Sequence, residues 1–169
     1  MFILFEDWRQ EDDDLDFEAV VKAHQKYNAY LKDKKILFPK SAYEFATADW
    51  HHNYSDHKAL HDSWVTSIAI KQVSTPRTDS GVFDATFVLL GAYHDGHLHI
   101  DYKSIHSLSI CRPELSGGPI EIYRDEVRLS ESGLVLHEIE FLARPNWLIE
   151  CEDISVHWEP LVQQHDVSV

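Results

Sequence analysis

The stretch FVLLGAYHDGHLHIDY, residues 87–102, decides the fold. Apolar residues crowd its first half, and apolar and polar residues alternate through its second half, which is the period of a β-strand. The 94–97 segment between the halves contains Asp-Gly, a pair that favours tight hairpin turns. The sequence therefore predicts an antiparallel hairpin with strands over residues 83–93 and 98–110.

Strand patterns continue on both sides of this hairpin. Residues 64–73 are rich in β-branched side chains, and a second hairpin is predicted for residues 120–129 and 134–142 around the turn 130–133. Residues 147–158 form the last strand or strand pair. The larger part of the chain therefore predicts a mainly antiparallel β-meander, packed as a sandwich or curled.

The N-terminal part has helical rather than strand periodicity. Residues 15–35 place apolar side chains at helical spacing and carry lysines in their second half, which the helix dipole favours. A second short helix is predicted over 41–48. Together these patterns predict one α+β domain over residues 1–169, with a helical region over 1–50 and a β-rich region over 59–158.

Composition excludes several classes of protein. Hydrophobic residues make up 44% of the 169, enough for a sizeable core, so intrinsic disorder is not expected. The N-terminus lacks a basic leader and no apolar stretch is long enough for a bilayer, so we expect no secretory signal and a cytoplasmic protein. Cys111 and Cys151 lie in apolar, strand-like contexts, which predicts two reduced thiols.

The formal net charge of −14 argues against nucleic acid and anionic membrane as partners, because both repel an acidic surface, and it favours a basic protein partner. The charge is concentrated at the two ends. Residues 1–18 hold eight acids and one base, residues 129–169 also hold eight and one, and the middle has thirteen of each. Because domain termini often lie close together, the two acidic ends are expected to form one negative face.

This acidic face is assigned to particular strands. Apolar residues alternate with Glu138 and Glu140 in one strand, and with Glu150 and Glu152 in the next. We therefore predict that these glutamates stand exposed on one outer sheet face and meet a positive partner. Four N-terminal acids are expected to join them: Asp12, Asp13, Asp14 and Asp16. The alternative is an ordinary solvated face that keeps the protein soluble.

Twelve histidines raise the question of a metal site. His97, His99 and Asp101 would face one side of a strand, where an ion could bind. Their segment resembles the start of the metallo-β-lactamase ligand motif, but Tyr102 follows where that family has histidine. The alternative, the polar face of a hairpin strand, is the one we prefer, and we expect no metal or other cofactor. His137 lies among apolar side chains and is expected to be a core histidine.

The segment Leu60-His61-Asp62-Ser63-Trp64-Val65 leads directly into a strand, and hairpins follow it. This pattern resembles small β-rich bacterial domains that begin their first strand with a His-Asp pair, several of which are immunity proteins of polymorphic toxin systems. The resemblance covers residues 59–158. It implies a cytosolic protein that binds and blocks a cognate toxin, and a structural rather than catalytic role for His61 and Asp62.

The sequence therefore favours a non-enzymatic binding protein, an immunity protein whose partner is a basic toxin. Two alternatives stay open. One is an accessory or structural subunit of a larger assembly. The other is a metal-dependent hydrolase that uses His97, His99 and Asp101, with His57 or His61 as a further candidate ligand. The chain contains no nucleophile elbow, phosphate-binding glycine loop or paired-cysteine zinc motif.

Overall fold

The protein combines N-terminal helices with an antiparallel sheet, and the computed structural model describes Ile3 and residues 17–74, 81–111, 119–141 and 146–162. The helical region comprises α1 (Phe17–Lys34), a short 3₁₀ turn (Lys35–Leu37) and α2 (Lys40–Ala46). The strands are β1 (Trp64–Ser74), β2 (Val82–Leu90), β3 (Gly96–Ser109), β4 (Ile122–Leu129), β5 (Val135–Phe141) and β6 (Trp147–Pro160). The predicted α+β class with a curled antiparallel sheet is confirmed. No helix within these ranges is long and apolar enough to cross a membrane.

Helix α1 follows from the sequence pattern. Ala23, Tyr27 and Leu31 recur every fourth residue, so they lie on one face, and all three are buried. Lys32 and Lys34 lie in the last turn, where the helix dipole favours cations.

Helix α2 is fixed to the sheet through its first turn. The Ser41 hydroxyl donates to Asp153 Oδ2 at 2.5 Å, and the Ala42 N–H donates to Asp153 Oδ1 at 3.2 Å. The carboxylate satisfies a backbone group that a helix start leaves without an intrahelical partner. The contact holds α2 against β6 and helps to bury Phe45 in the core.

The strands form one sheet in the order β1-β2-β3-β6-β5-β4, and every neighbouring pair is antiparallel. The sheet consists of two three-stranded meanders, β1-β2-β3 and β4-β5-β6, joined side by side along β3 and β6. Strand β4 therefore lies at the opposite edge from β1, and β6 lies beside β3.

The sheet curls until its two edges meet at one corner. The Val65 N–H donates to the Ile120 carbonyl at 3.0 Å, and a single bridge pairs Trp64 with Glu121. The start of β1 thereby pairs with the chain that enters β4. This pairing satisfies backbone groups that both edge strands would otherwise expose.

Helix α1 covers part of the β4 edge. The Tyr27 hydroxyl donates to the Val127 carbonyl at 2.6 Å and accepts from the Val127 N–H at 3.3 Å. The Tyr30 hydroxyl accepts from the Leu129 N–H at 2.8 Å. Side-chain hydroxyls thus take the place of a neighbouring strand, so these backbone groups are not available for pairing with another chain.

The hairpin between β2 and β3 differs from the tight turn that Asp-Gly predicts. Its loop spans residues 91–95, and His94 adopts the left-handed conformation, with φ 55°. Gly96 already belongs to β3, where a Cβ atom would lie 2.1 Å from Cζ2 of Trp158. The glycine is therefore required by this close approach and not by a two-residue turn.

The core lies on the inner face of the curled sheet. Every second residue along most of β2 and the first half of β3 is buried there, as strand alternation predicts. Phe87, Phe141 and Trp147 form its aromatic centre, with Trp147 packed against the other two rings. The outer face carries polar side chains beside apolar ones such as Val88 and Leu148, and its polar groups are the candidates for a functional site.

Candidate functional site

The predicted glutamate face lies on the outer side of the sheet, but its centre is buried. The register of β5 with β6 places the glutamates of both strands on one face, as alternation predicts. Glu138 and Glu140 are only 7% and 2% exposed. In contrast, the Glu152 side chain is 61% exposed. The predicted exposure is therefore wrong for Glu138 and Glu140.

Two arginines of β4 neutralise the buried glutamates. Arg124 pairs with Glu140, which lies opposite it on β5. Arg128 bridges two carboxylates, with Nη2 2.5 Å from Glu138 Oε2 and Nη1 3.3 Å from Glu126 Oε1. Glu126 and Glu138 lie directly opposite each other, where two like charges destabilise a sheet, and the guanidinium offsets that repulsion. The sequence could have predicted these ion pairs, because the hairpin places Arg-x-Glu-x-Arg of β4 beside Glu-x-Glu of β5.

Ile3 reaches the same outer face. The Ile3 N–H donates to Glu126 Oε1 at 3.0 Å, and the Ile3 side chain is partly buried. Ile3 therefore lies beside the C-terminal hairpins and contributes to the cover over β4. The other predicted partner residues lie outside the described residues: Asp12, Asp13, Asp14 and Asp16.

The solvent-accessible end of the glutamate face lies at the start of β6, beside the β4–β5 turn. Glu131, Glu150 and Glu152, which we name the β6 acidic patch, have no lysine or arginine partner within the described ranges. The Ser132 hydroxyl donates to Glu150 Oε1 at 2.6 Å, and the hydroxyls of Ser130 and Ser132 lower the pKa of Glu150. Glu131 and Glu150 line an open cleft of about 510 Å³. The patch is therefore charged and accessible.

His61 and Asp62 lie at the corner where the sheet edges meet. The His61 Nδ1–H donates to the Tyr123 carbonyl at 2.6 Å. The Asp62 N–H donates to the Ile122 carbonyl at 2.9 Å. Asp62 has φ 61°, a conformation that aspartate tolerates better than most residues. These contacts join the chain before β1 to the backbone of β4.

The three candidate metal ligands of β3 share its outer face. His97, His99 and Asp101 alternate with buried apolar residues, as predicted. The β3–β6 register adds two residues that the sequence did not connect with them: His157 lies opposite His99, and Glu159 lies opposite His97. In the sequence, His157 and Glu159 alternate with Trp158 in the last strand. This alternation points to the β3 histidines only when the pairing of β3 with β6 is known.

A second group of titratable side chains is buried inside the curl. The Tyr102 hydroxyl donates to His137 Nδ1 at 2.7 Å, and the His137 Nε2–H donates to Asp125 Oδ2 at 2.9 Å. The His51 Nε2–H donates to the same oxygen at 2.7 Å. The His52 Nε2–H donates to the Asp125 carbonyl at 3.3 Å. We call these five residues the Asp125 cluster. The predicted core position of His137 is confirmed.

Burial and hydrogen bonding set the protonation states of the Asp125 cluster. Although burial opposes ionisation, the imidazoles of His51 and His137 hold the pKa of the Asp125 carboxyl well below its usual range. Burial lowers the pKa of His137, and it lowers the pKa of His52 to about 3. Burial also raises the pKa of the Tyr102 hydroxyl. At neutral pH an ionised carboxylate therefore lies beside neutral His52, His137 and Tyr102.

The ligand atoms of His51, His52 and Asp125 lie within 4.8 Å of one another, close enough to consider a metal ion. The ring planes argue against one. The two imidazoles are stacked, with centroids 4.2 Å and planes 17° apart, whereas an ion must lie near the plane of each ring because the nitrogen lone pair lies in that plane. Phe45 also stacks on His51 and hinders its rotation. With Asp125 and His51 buried from solvent, the cluster acts as a structural hydrogen-bond network.

No protein-family model matches the chain, and no curated protein or solved structure matches it. Function must therefore be inferred from the charge and geometry of the described residues. Charged or titratable side chains gather in the β6 acidic patch, in the outer histidines of β3 and β6, and in the Asp125 cluster. Of these three places, the first two are open to a partner or ligand.

Proposed function

We propose that the protein is a non-enzymatic, cytosolic binding protein, an immunity protein of a bacterial polymorphic toxin system, which neutralises a basic toxin through the β6 acidic patch. One observation carries this proposal. Glu138 and Glu140 are neutralised by arginines, whereas the exposed Glu131 and Glu152 and the half-buried Glu150 have no lysine or arginine partner in the described part of the chain. Three acids that the fold does not neutralise with lysine or arginine therefore lie together at one end of the glutamate face, in the β4–β5 turn and at the start of β6.

Exposed, uncompensated charge suits binding better than it suits stability. Exposed ion pairs contribute little to folding, but a charged surface steers a partner of opposite sign and accelerates association. The net charge of −14 extends that attraction beyond the patch itself. Because the patch lies on a strand and a hairpin turn, its side chains are held on an ordered scaffold, which lowers the cost of ordering on binding. The resemblance at residues 60–65 to immunity-protein domains supports the same class.

The test uses a basic protein encoded beside this chain, which is expected to be its toxin. Co-expression of the chain should protect cells from that protein, and isothermal titration calorimetry should show binding that weakens as salt rises. Reversing Glu131, Glu150 and Glu152 to lysine should weaken the binding by more than about tenfold, mainly through slower association.

A matched control separates the patch from total charge. Asp33, Glu44 and Asp49 are exposed acids of the helical region, and reversing all three to lysine changes the net charge by the same amount. The control should bind nearly as well as the native chain. An equal loss in both variants would show that only total charge matters, and unchanged binding after reversal of the patch would place the interface elsewhere. Absence of both binding and protection would contradict the proposed function.

A further inference from the structure

The outer face of β3 and β6 carries a histidine cluster that the proposed function does not use. His97 and His99 stand two residues apart on β3, and His157 lies directly opposite His99 on β6. The ring centroids of His99 and His157 are 4.3 Å apart, and those of His97 and His99 are 6.5 Å apart. Three imidazoles from two adjacent strands therefore lie on one solvent-facing surface.

We propose that this outer histidine cluster, His97, His99 and His157, binds a divalent transition-metal ion of the zinc class. Three histidine nitrogens with a fourth position left open are a recurrent ligand set for zinc in proteins. Opposite residues of antiparallel strands have Cβ atoms about 4.5–5.5 Å apart, a span that two imidazoles can close around one ion. The site stands independently of the toxin-binding surface.

Two carboxylates lie beside the cluster, and one of them contacts a ring at hydrogen-bond distance. Asp101 Oδ2 lies 3.9 Å from His157 Nδ1, and the Thr86 hydroxyl donates to Asp101 Oδ1 at 2.6 Å. Glu159 Oε2 lies 3.0 Å from His99 Nε2. Metal-binding histidines commonly give their second nitrogen to a carboxylate, which fixes the ring and raises its basicity. In His99 one nitrogen is therefore within hydrogen-bond distance of a carboxylate and the other is left for the ion, and in His157 the Asp101 carboxylate lies just beyond that distance.

Exposure distinguishes the outer histidine cluster from the Asp125 cluster. His99 and His157 are stacked with planes 13° apart, so one ring must turn before both can face one ion. The His157 side chain is 60% exposed, and it has other staggered rotamers to adopt. His51, in contrast, is fully buried between two stacked rings. The outer cluster can therefore rearrange around an ion, and the buried one cannot.

Zinc binding to the full-length, tag-free chain tests the proposal. Titration calorimetry should show one Zn²⁺ per chain, and Co²⁺ should give the visible absorption of a site with nitrogen ligands and low coordination number. His99→Gln and His157→Gln should each weaken zinc binding by at least about tenfold, and Asp101→Asn by roughly tenfold. The circular dichroism spectrum and Tm of each variant without metal show that it is folded.

Matched controls locate the site. His57→Gln and His106→Gln remove exposed histidines outside the cluster, and neither should change the zinc affinity. His52→Gln alters the Asp125 cluster instead, and it should also leave the zinc affinity unchanged. The proposal is overturned if the native chain binds no zinc, or if His99→Gln and His157→Gln both bind it as tightly as the native chain. Loss of zinc binding in His52→Gln alone would show that the ion binds at the Asp125 cluster, and this result would also overturn the proposal.

Discussion

The outer face of the sheet is buried over β4 and β5 but open to solvent over β3 and β6. In the covered region, Arg124 and Arg128 and the glutamates they contact are at most 8% exposed. In the open region, the side chains of His157 and Glu159 are 60% and 65% exposed. Both regions come from the same alternation of polar and apolar residues along strands of one sheet.

The difference shows that alternation determines which face a side chain occupies but not whether solvent reaches it. A buried carboxylate needs a charged or hydrogen-bonding partner because burial removes its hydration. The covered region meets this need with arginines set opposite or diagonal to glutamates. The open region carries histidines and carboxylates without arginine, since water already solvates them. Arginine opposite glutamate therefore marks the part of this face that is covered.

The largest effect is expected from breaking the covered region at Arg128. Arg128→Ala removes the guanidinium shared by Glu126 and Glu138, two carboxylates that lie directly opposite each other in the sheet. Removing one partner of a buried ion pair leaves an uncompensated buried charge, so the free energy of unfolding should fall by about 3–5 kcal/mol. Urea denaturation at neutral pH measures the loss.

An exposed ion pair supplies the control for Arg128. Lys103 Nζ lies 3.0 Å from Asp84 Oδ2, and the Lys103 side chain is 55% exposed. Because solvent screens this pair, Lys103→Ala should cost less than about 1 kcal/mol. Equal losses for Arg128→Ala and Lys103→Ala would contradict the comparison. They would mean that removing a partner from a buried ion pair costs no more stability than removing one from an exposed pair.

The elements of this fold could be predicted because each follows from a local pattern. Apolar periodicity predicted a helix over 15–35, found at Phe17–Lys34, and alternation predicted a strand over 147–158, found at Trp147–Pro160. Strand order could not be predicted, because the pairing of β3 with β6 joins distant segments and depends on the packing of the whole core. Gly96 illustrates the same limit, since its contact with Trp158 belongs to that pairing and not to the turn.

The candidate site could be predicted only where one strand contains all of it. Glu138 and Glu140 lie on the expected face, but arginines of another strand compensate their charge in the buried position, and no pattern within β5 shows this. His157 meets His99 only through the strand order. The members of the Asp125 cluster come from the loop after α2 and from three strands, so no spacing in the sequence brings them together.

Acid should destabilise the protein through the histidines of the Asp125 cluster, which differ from the outer histidines in being shielded from solvent. Burial lowers the pKa of His52 to about 3 from the usual 6.5, and it also lowers the pKa of His137. Between pH 6.5 and about pH 3 the unfolded chain binds a proton at His52 that the folded chain does not. The free energy of unfolding therefore falls as the pH falls below 6.5. For His52 alone the loss between pH 6.5 and about 5 amounts to roughly 2 kcal/mol. Urea denaturation across this pH range measures it.

The variant His52→Gln isolates that contribution. Glutamine can still donate to the Asp125 carbonyl but does not titrate, so the free energy of unfolding should depend on pH less steeply by about 1.4 kcal/mol per pH unit. The other groups titrate in both proteins, and their contributions cancel in the difference. The same pH dependence in both proteins would show that folding does not hold His52 neutral.

The smallest effect on stability is expected at the glutamates that solvent reaches and that no arginine contacts. Replacing Glu150 and Glu152 together by glutamine should change the free energy of unfolding by no more than about 0.5 kcal/mol, because neither has a lysine or arginine partner among the described residues. The same change should weaken binding to a basic partner, since it removes two charges of the β6 acidic patch. Urea denaturation and titration calorimetry on one preparation measure both effects. A loss of stability as large as that of Arg128→Ala would mean that these glutamates hold the hairpin together, and the patch would then belong to the fold rather than to a partner.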